Sequence, residues 1–208
     1  MHRTRVKICG LTRIEDVHAA VDAGADAIGL VFYPPSARCV TLERAAELVA
    51  AVPPFVSVVG LFVNPAEALV REVLAHVRLH VLQFHGDEHE ADCARFARPW
   101  LKAARVRAGL DLLEFNASHA GATGILLDAF VEGYGGGGRT FDWSLIPSGL
   151  NRRRLILSGG LDADNVTEAV RRVRPWAVDV SSGVEVEKGI KSAEKISAFI
   201  AGVRNADG

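Results

Sequence analysis

Short apolar runs alternate with amphipathic stretches along the chain, and this alternation repeats eight times in 208 residues. The runs are rich in Val, Ile, Leu and Ala, a composition typical of strands that are buried on both faces of a parallel sheet. The predicted strands are residues 5–9, 27–32, 56–63, 81–85, 100–106, 124–129, 155–158 and 177–181.

The stretches between the runs carry signals for helix ends. Thr41 and Ser192 each precede an amphipathic stretch and are predicted N-caps. Asn64, which is followed by a proline, is predicted to cap a helix over residues 66–77. Asp162 is predicted to begin a further helix. Each predicted strand is therefore followed by a helix signal or by a loop.

Eight strand–helix units in this length predict an α/β fold, a closed (β/α)8 TIM barrel, with residues 1–208 as a single domain. An open, doubly wound sheet is the structural alternative, but no Gly-x-Gly-x-x-Gly motif follows the first strand. The longest irregular stretch, residues 130–139, contains five glycines. It is either a mobile cover over a site or a variable connection.

The charge balance argues against several classes of partner. With 24 basic and 25 acidic side chains the chain has no basic excess for nucleic acid or an anionic membrane surface. No apolar run approaches the ~20 residues of a membrane span, and the N-terminus lacks the apolar run of a signal peptide. Three cysteines without close pairing or metal-ligand spacing predict neither a disulfide framework nor a metal site. We expect a cytoplasmic protein.

Functional side chains of such a barrel belong at the C-terminal ends of its strands. Cys9 ends the first predicted strand, where a thiolate can serve as general base or nucleophile, although a free cysteine can also be a small packing residue. Asp128 ends the sixth strand after three apolar residues. A partly desolvated carboxyl there can act as a general acid, or it can accept hydrogen bonds from loop amides.

Two further side chains are candidates for substrate binding. His85 ends the fourth strand and could bind substrate, orient another group or have a structural role. Arg38 lies in the loop after the second strand, where its guanidinium could pair with a substrate carboxylate. A solvated loop charge is the alternative for Arg38.

The last two strand ends predict a phosphate site. Gly159 and Gly160 follow strand seven, and Ser181, Ser182 and Gly183 follow strand eight. Glycines let backbone amides approach a ligand closely, and serines add hydroxyl donors. The loops after strands seven and eight are the recurrent phosphate site of these barrels. Ordinary turn chemistry is the alternative.

In their order and spacing these residues resemble the phosphoribosylanthranilate isomerase family over nearly the whole chain. The resemblance implies an Amadori rearrangement of N-(5-phosphoribosyl)anthranilate in tryptophan biosynthesis, without a cofactor or metal, by a monomer or a homodimer. It implies that Cys9 is the general base, that Asp128 is the general acid, and that Arg38 lies near the anthranilate carboxylate. The matching segments are residues 7–12, 29–33, 36–38, 59–64, 83–88, 127–128, 135–143, 158–161 and 179–185.

The departures from the family pattern spare the predicted acid and base. They are Ala37, Cys39, Phe84 and Gly137, of which the last should loosen the loop over residues 130–139. A related sugar-phosphate isomerase of the histidine pathway is one alternative, but that family has a carboxylate where this chain has Cys9. A barrel that binds a phosphorylated ligand without catalysis is the other alternative, and turnover separates the two classes.

Overall fold

Eight parallel strands form a closed barrel in the computed structural model, which describes residues 3–129 and 140–208. Neighbouring strands pair in chain order, and the last strand pairs with the first, in register from Arg5 with Ala177 to Ile8 with Val180. The predicted (β/α)8 fold is therefore confirmed. The strands are β1 (Arg5–Cys9), β2 (Ala27–Val31), β3 (Ser57–Phe62), β4 (Val81–Phe84), β5 (Trp100–Val106), β6 (Gly124–Ala129), β7 (Leu155–Leu157) and β8 (Ala177–Val180).

Seven α-helices lie among the described residues. Side-chain caps form where the sequence predicts them at two helices: Thr41 accepts a hydrogen bond from the Arg44 amide, and Ser192 accepts one from the Lys195 amide. The helices are α1 (Ile14–Ala23), α2 (Leu42–Ala50), α3 (Glu67–His76), α4 (Glu90–Ala94), α5 (Leu112–Ala117), α6 (Val166–Val173) and α7 (Ala193–Asp207).

Two predicted helix starts are wrong. Asn64 does not cap α3; it has a positive φ of 44° and accepts a hydrogen bond from the Asp87 amide through its side chain. It therefore connects the loops after β3 and β4. Asp162 lies before α6, where it accepts hydrogen bonds from the backbone amides of the turn that leads into the helix. Asp162 thus makes short-range side-chain bonds that resemble a cap, whereas the bond of Asn64 joins two loops.

The sixth strand–helix unit also differs from the predicted alternation. In its described part, residues 140–154, there are two short 3₁₀ turns and no α-helix; the turns are Trp143–Leu145 and Arg152–Arg154. Residues 130–139, for which the sequence leaves a mobile cover or a variable connection open, lie outside the described part of the chain. The remaining units connect their strands through helices packed around the barrel.

The barrel interior is apolar at one end and polar at the other. Leu101, Ala103, Leu126 and Ile156 form a small apolar cluster inside the barrel, separate from the larger core between strands and helices. Because side chains alternate along a strand, the inward positions one step further along each strand lie at its C-terminal end. On β1, β4, β6 and β8 those positions hold the buried polar residues Lys7, Gln83, Asp128 and Asp179, so the mouth of the barrel collects chemically active groups.

A short antiparallel hairpin follows β8 and was not predicted. Its strands are β9 (Glu185–Glu187) and β10 (Ile190–Lys191), and Gly189 with a φ of 85° lies in the turn between them. The hairpin returns the chain toward the barrel mouth before α7 begins. Among the described helices, none has the length and apolar character needed to cross a membrane.

Candidate active site

Cys9 and Lys7 share the inward face of β1 because they are two residues apart on one strand. Cys9 is buried, with 4% of its surface exposed. The Lys7 ammonium lies 2.8 Å from the Asp179 carboxylate, and both side chains are 6% exposed. Lys7 and Asp179 are direct partners in the pairing of β1 with β8. Closure of the barrel therefore places a buried ion pair beside the predicted base.

Gly29 on β2 makes the space that these two side chains occupy. It is the strand partner of Cys9. A Cβ added to Gly29 would lie 2.7 Å from the Cys9 Sγ and 3.0 Å from the Lys7 Cε. Both distances are shorter than ordinary van der Waals contact. The absence of a side chain at this position thus allows the thiol and the lysine to lie together.

The protonation of Cys9 is set by opposing influences. Burial raises the pKa of the thiol above its ordinary value, because the charged thiolate loses its hydration. The positive charge of Lys7 works in the opposite direction and favours the thiolate, as does the charge of Lys191 to a smaller degree. The Asp179 carboxylate again raises the pKa. The net direction in the substrate-free protein is upward.

Asp128 is held in a chain of hydrogen bonds at the opposite side of the mouth. Its Oδ2 lies 3.0 Å from His85 Nε2, and its Oδ1 accepts a hydrogen bond from the Ala129 amide. His85 Nδ1 lies 3.1 Å from the Gln83 amide nitrogen, which can only donate. Gln83, His85 and Asp128 thus form one buried chain of hydrogen-bonded side chains at the barrel mouth.

Arg38 is held by a buried carboxylate. Its Nε and one terminal nitrogen donate to the two Glu185 oxygens, each at 2.7 Å, in a bidentate pair. Lys191 also donates to Glu185, at 2.8 Å. Burial alone would raise the pKa of Glu185, but Arg38 and Lys191 together hold it below its ordinary value. Arg38 is therefore a fixed group at the barrel mouth. It is not the solvated loop charge that the sequence left open as an alternative.

Gly10 allows Arg38 to lie against the end of β1. The glycine has a φ of 77°, and a Cβ there would come within 2.5 Å of the Arg38 side chain and 3.1 Å of the Ser181 hydroxyl. The residue next to Cys9 is thus in contact with the arginine loop and with the loop after β8. This close approach unites three of the predicted site elements.

The loops after β7 and β8 lie against each other and against Asp128. Gly159 and Gly160 have φ values of 82° and 64°, and Gly159 is packed on the Asp128 carboxyl. Gly183 lies so close to the Leu161 carbonyl that a side chain there would collide with it. The backbone of the two loops therefore forms one continuous wall. Ser182 begins a single 3₁₀ turn in that wall, directly after Ser181.

The structure thus brings all of the predicted site residues to one end of the barrel, but it adds partners that were not assigned a role from the sequence. A signal for some of them was present: Lys7 and Asp179 are charged residues inside apolar strands, each two positions before a predicted site residue. Lys191 carried no such signal, because the hairpin that returns it was not predicted. The added partners are Lys7, Gln83, Asp179, Glu185 and Lys191.

Within residues 3–129 and 140–208, no cluster of three or more His, Cys, Asp or Glu side chains is placed to hold a metal ion. All three cysteines are free thiols. The arrangement offers instead a thiol with a nearby cation and a carboxyl with a nearby imidazole, which together can move protons on a bound molecule.

Comparisons with known proteins identify a family of isomerases. The family profile described as N-(5'phosphoribosyl)anthranilate (PRA) isomerase matches residues 6–202. The N-(5'-phosphoribosyl)anthranilate isomerase of Dechloromonas aromatica is 67% identical over 205 residues, which cover 99% of this chain and 98% of that protein.

Solved structures agree over the same length. A phosphoribosyl anthranilate isomerase in complex with reduced 1-(o-carboxyphenylamino)-1-deoxyribulose 5-phosphate has a TM-score of 0.84 at 41% identity, with 99% of both chains covered. Monomers of the dimeric isomerase from Thermotoga maritima have a TM-score of 0.85 at 39% identity, covering 97% of this chain and 98% of that one. The chain belongs to the N-(5'-phosphoribosyl)anthranilate isomerase family.

Proposed function

We propose that this protein converts N-(5-phosphoribosyl)anthranilate to 1-(2-carboxyphenylamino)-1-deoxyribulose 5-phosphate, with Asp128 as the general acid and Cys9 as the general base. Family membership supports the reaction. One observation carries the assignment of roles. Both residues are buried and lie at the C-terminal ends of their strands, at one mouth of a closed barrel. The reaction opens the ribose ring and transfers protons without a second reactant, so it requires an acid and a base that act on one bound sugar.

Asp128 acts first in this scheme. Its carboxyl donates a proton to the ribose ring oxygen, and the C1'–O bond breaks as the anthranilate nitrogen forms a Schiff base with C1'. The ring oxygen becomes a hydroxyl group. His85 touches the Asp128 oxygen and, through Gln83, has a fixed orientation. We assign His85 to orienting the acid and lining the substrate pocket.

Cys9 acts second. Its thiolate removes the proton from C2', and the electron pair moves toward the cationic nitrogen to give an enolamine. The enolamine then gains a proton at C1' and loses the C2' hydroxyl proton, which yields the ketone. Acid and base must be in opposite protonation states at the start, and neither form is the ordinary one for its residue at neutral pH.

The substrate's two anionic groups require separate partners. Arg38 is fixed at the mouth by its bonds to Glu185, and we assign its guanidinium to the anthranilate carboxylate. The wall formed by the loops after β7 and β8 is assigned to the phosphate, because its glycines allow backbone amides to approach an anion. The residues assigned to this wall are Gly159, Gly160, Ser181, Ser182 and Gly183.

The partner and compartment assignments follow from the same chemistry. The partner is a small phosphorylated molecule, and neither nucleic acid nor a membrane enters the reaction. Three free thiols suit a reducing cytoplasm. The protein is a monomer or a homodimer, and either form can hold the site, since every residue assigned to the site is in one chain.

A turnover assay tests the proposal. Purified protein should abolish the fluorescence of N-(5-phosphoribosyl)anthranilate at a rate proportional to enzyme concentration. The histidine-pathway aldose substrate, supplied separately, should remain unchanged. Binding of a phosphorylated product analogue without any turnover would instead support a non-catalytic barrel, and turnover of the histidine-pathway substrate alone would support the other isomerase.

A further inference from the structure

Lys7 is a buried cation that the proposed reaction does not use. It is buried near the barrel mouth, two residues before Cys9 and on the same face of β1. Its Cε and the Cys9 Sγ both lie within 3.0 Å of the point where a Gly29 Cβ would stand. Burying an ammonium is costly unless it is paired, so a lysine at this position requires a physical reason.

The thiol is surrounded by more positive than negative charge. Three cationic side chains and one carboxylate act electrostatically on the thiol, and a second carboxylate binds two of those cations; all five side chains are largely buried. One carboxylate binds one cation, and the other is shared by two cations. The excess of one positive charge is neutralised when the thiol ionises. These groups are Lys7, Arg38, Lys191, Asp179 and Glu185.

We propose that Lys7, oriented by Asp179, is a positioning residue that stabilises the thiolate of Cys9. This inference rests on the proposed function, because only the thiolate can remove the C2' proton. Lys7 itself exchanges no proton with the substrate. Its ammonium is the cation nearest to the thiol along β1, and the 2.8 Å bond to Asp179 fixes its position.

The protonation of the lysine supports this role. Burial would lower the pKa of Lys7, but Asp179 and Cys9 together raise it above its ordinary value, so the ammonium keeps its charge. The two members of the ion pair act on Cys9 with opposite signs: Lys7 lowers the pKa of the thiol and Asp179 raises it. Loss of Lys7 should therefore raise the pKa of Cys9, and loss of Asp179 should lower it.

The test is the pH dependence of Cys9 alkylation by iodoacetamide in the substrate-free protein, in a background carrying Cys39→Ser and Cys93→Ala. Lys7→Met should raise the midpoint by about one pH unit or more, and so slow alkylation below the midpoint ~10-fold. Asp179→Asn should lower the midpoint. Lys7→Arg keeps the positive charge, and its alkylation midpoint should be the closest to that of the parent protein. A purely structural role would not move the two midpoints in opposite directions.

Turnover gives an independent readout. With N-(5-phosphoribosyl)anthranilate, Lys7→Met should lose kcat at neutral pH and recover part of it as pH rises, with a smaller change in KM. If Lys7→Met does not fold, Lys7→Met/Asp179→Leu replaces the whole pair by apolar side chains, which proteins tolerate better than a broken pair. The midpoint of Cys9 alkylation in this double variant should also be higher than in the parent protein.

An unchanged midpoint in the lysine variant, or shifts of the same sign in the lysine and aspartate variants, would overturn the proposal. The alkylation measurement needs no turnover, so it decides the role of Lys7 separately from the reaction. If the parent protein does not convert N-(5-phosphoribosyl)anthranilate, the proposed function fails even when the alkylation midpoints shift as described.

Discussion

The carboxyl of Asp128 illustrates how neighbouring residues prepare one side chain for acid chemistry. Two different donors bind its two oxygens: the Ala129 amide on one and His85 on the other. The imidazole is itself fixed by Gln83. These contacts fix the position of the carboxyl group at the barrel mouth, which is what a group that transfers a proton to a bound molecule requires.

Neutralising the acid or removing the thiol should abolish most of the turnover. Asp128→Asn and Cys9→Ser should each lower kcat at least ~100-fold with little change in KM, the usual scale for loss of a general acid or base. Steady-state turnover of N-(5-phosphoribosyl)anthranilate is the measurement.

Matched controls are available at positions outside the site. Asp22→Asn changes an exposed aspartate on α1, and Cys93→Ala changes a buried cysteine on α4. Both should keep kcat within about threefold of the parent protein, since surface and small packing substitutions rarely reach a distant site. Near-normal turnover in Asp128→Asn or Cys9→Ser would remove that residue from its assigned role.

Arg38 depends on its planar geometry as well as its charge. Arg38→Lys should raise KM by about tenfold or more, because an ammonium cannot reproduce the two-point contact with Glu185 that fixes the guanidinium. Arg38→Ala should raise KM further, since it also leaves Glu185 with one cation fewer near an anionic substrate.

Arg71→Ala is the control for charge removal, because Arg71 is an exposed residue of α3. Its KM should stay at the parent value. If Arg38→Lys also binds substrate normally in steady-state assays, the guanidinium does not anchor the carboxylate and another group must do so.

At the scale of the elements, the strand glycines show that a small residue can serve either the site or the packing. Gly29 faces into the barrel, where its missing side chain makes room for Cys9. Gly60, one strand further along, is directed toward Leu79, and a Cβ there would collide with that side chain. The two positions are similar in sequence context and differ in the face of the sheet that they serve.

Adding one methyl group at each position should separate the two roles. Gly29→Ala should lower kcat about tenfold or more while the protein remains folded, because the thiol and Lys7 must move apart. Gly60→Ala should lower the melting temperature, by overpacking of the layer outside the barrel, and leave kcat near the parent value. Turnover and thermal unfolding, measured on both variants, check this expectation. Equal kcat values in the two variants would contradict it.

Sequence patterns predicted the strands better than the connections. The bounds of β1, β5 and β6 are those predicted, since a run of apolar residues buried on both faces has clear ends. The errors lie at Asn64, at Asp162 and in the hairpin after β8. Asn64 and the hairpin bond to segments that are distant in sequence, which a local pattern cannot specify. Asp162 makes local bonds within a turn, and these resemble the bonds of a helix cap.

For the whole molecule, buried ion pairs connect segments that are far apart in the chain. Glu185 joins the loop after β2 to the β9–β10 hairpin through Arg38 and Lys191. The pKa of Glu185 lies below its ordinary value of 4.5 in the folded protein. A depressed pKa contributes stability that is present above that ordinary value and is lost as pH falls through the folded value.

The free energy of unfolding should therefore fall on acidification, in part because Glu185 gains a proton. Between neutral pH and about pH 3.5, the melting temperature of the parent protein should decrease more steeply than that of Glu185→Gln, which cannot gain a proton there. At neutral pH the variant should be the less stable of the two. Glu47→Gln, at an exposed glutamate of α2, is the control. Parallel melting curves for the parent and Glu185→Gln across this range would show that Glu185 contributes no pH-dependent stability.

The sequence by itself determined the barrel and the identity of the residues at its strand ends. Apolar runs of strand length, repeated eight times, predict strands that are buried on both faces, as in a barrel, and the strand ends then locate Cys9 and Asp128. The surroundings of those two residues were decided by tertiary structure. Lys7 meets Asp179 because β8 closes on β1, and His85 meets Asp128 across the mouth. Ion pairs and hydrogen bonds act over a few ångströms in space, and separation along the chain does not reveal which groups come that close.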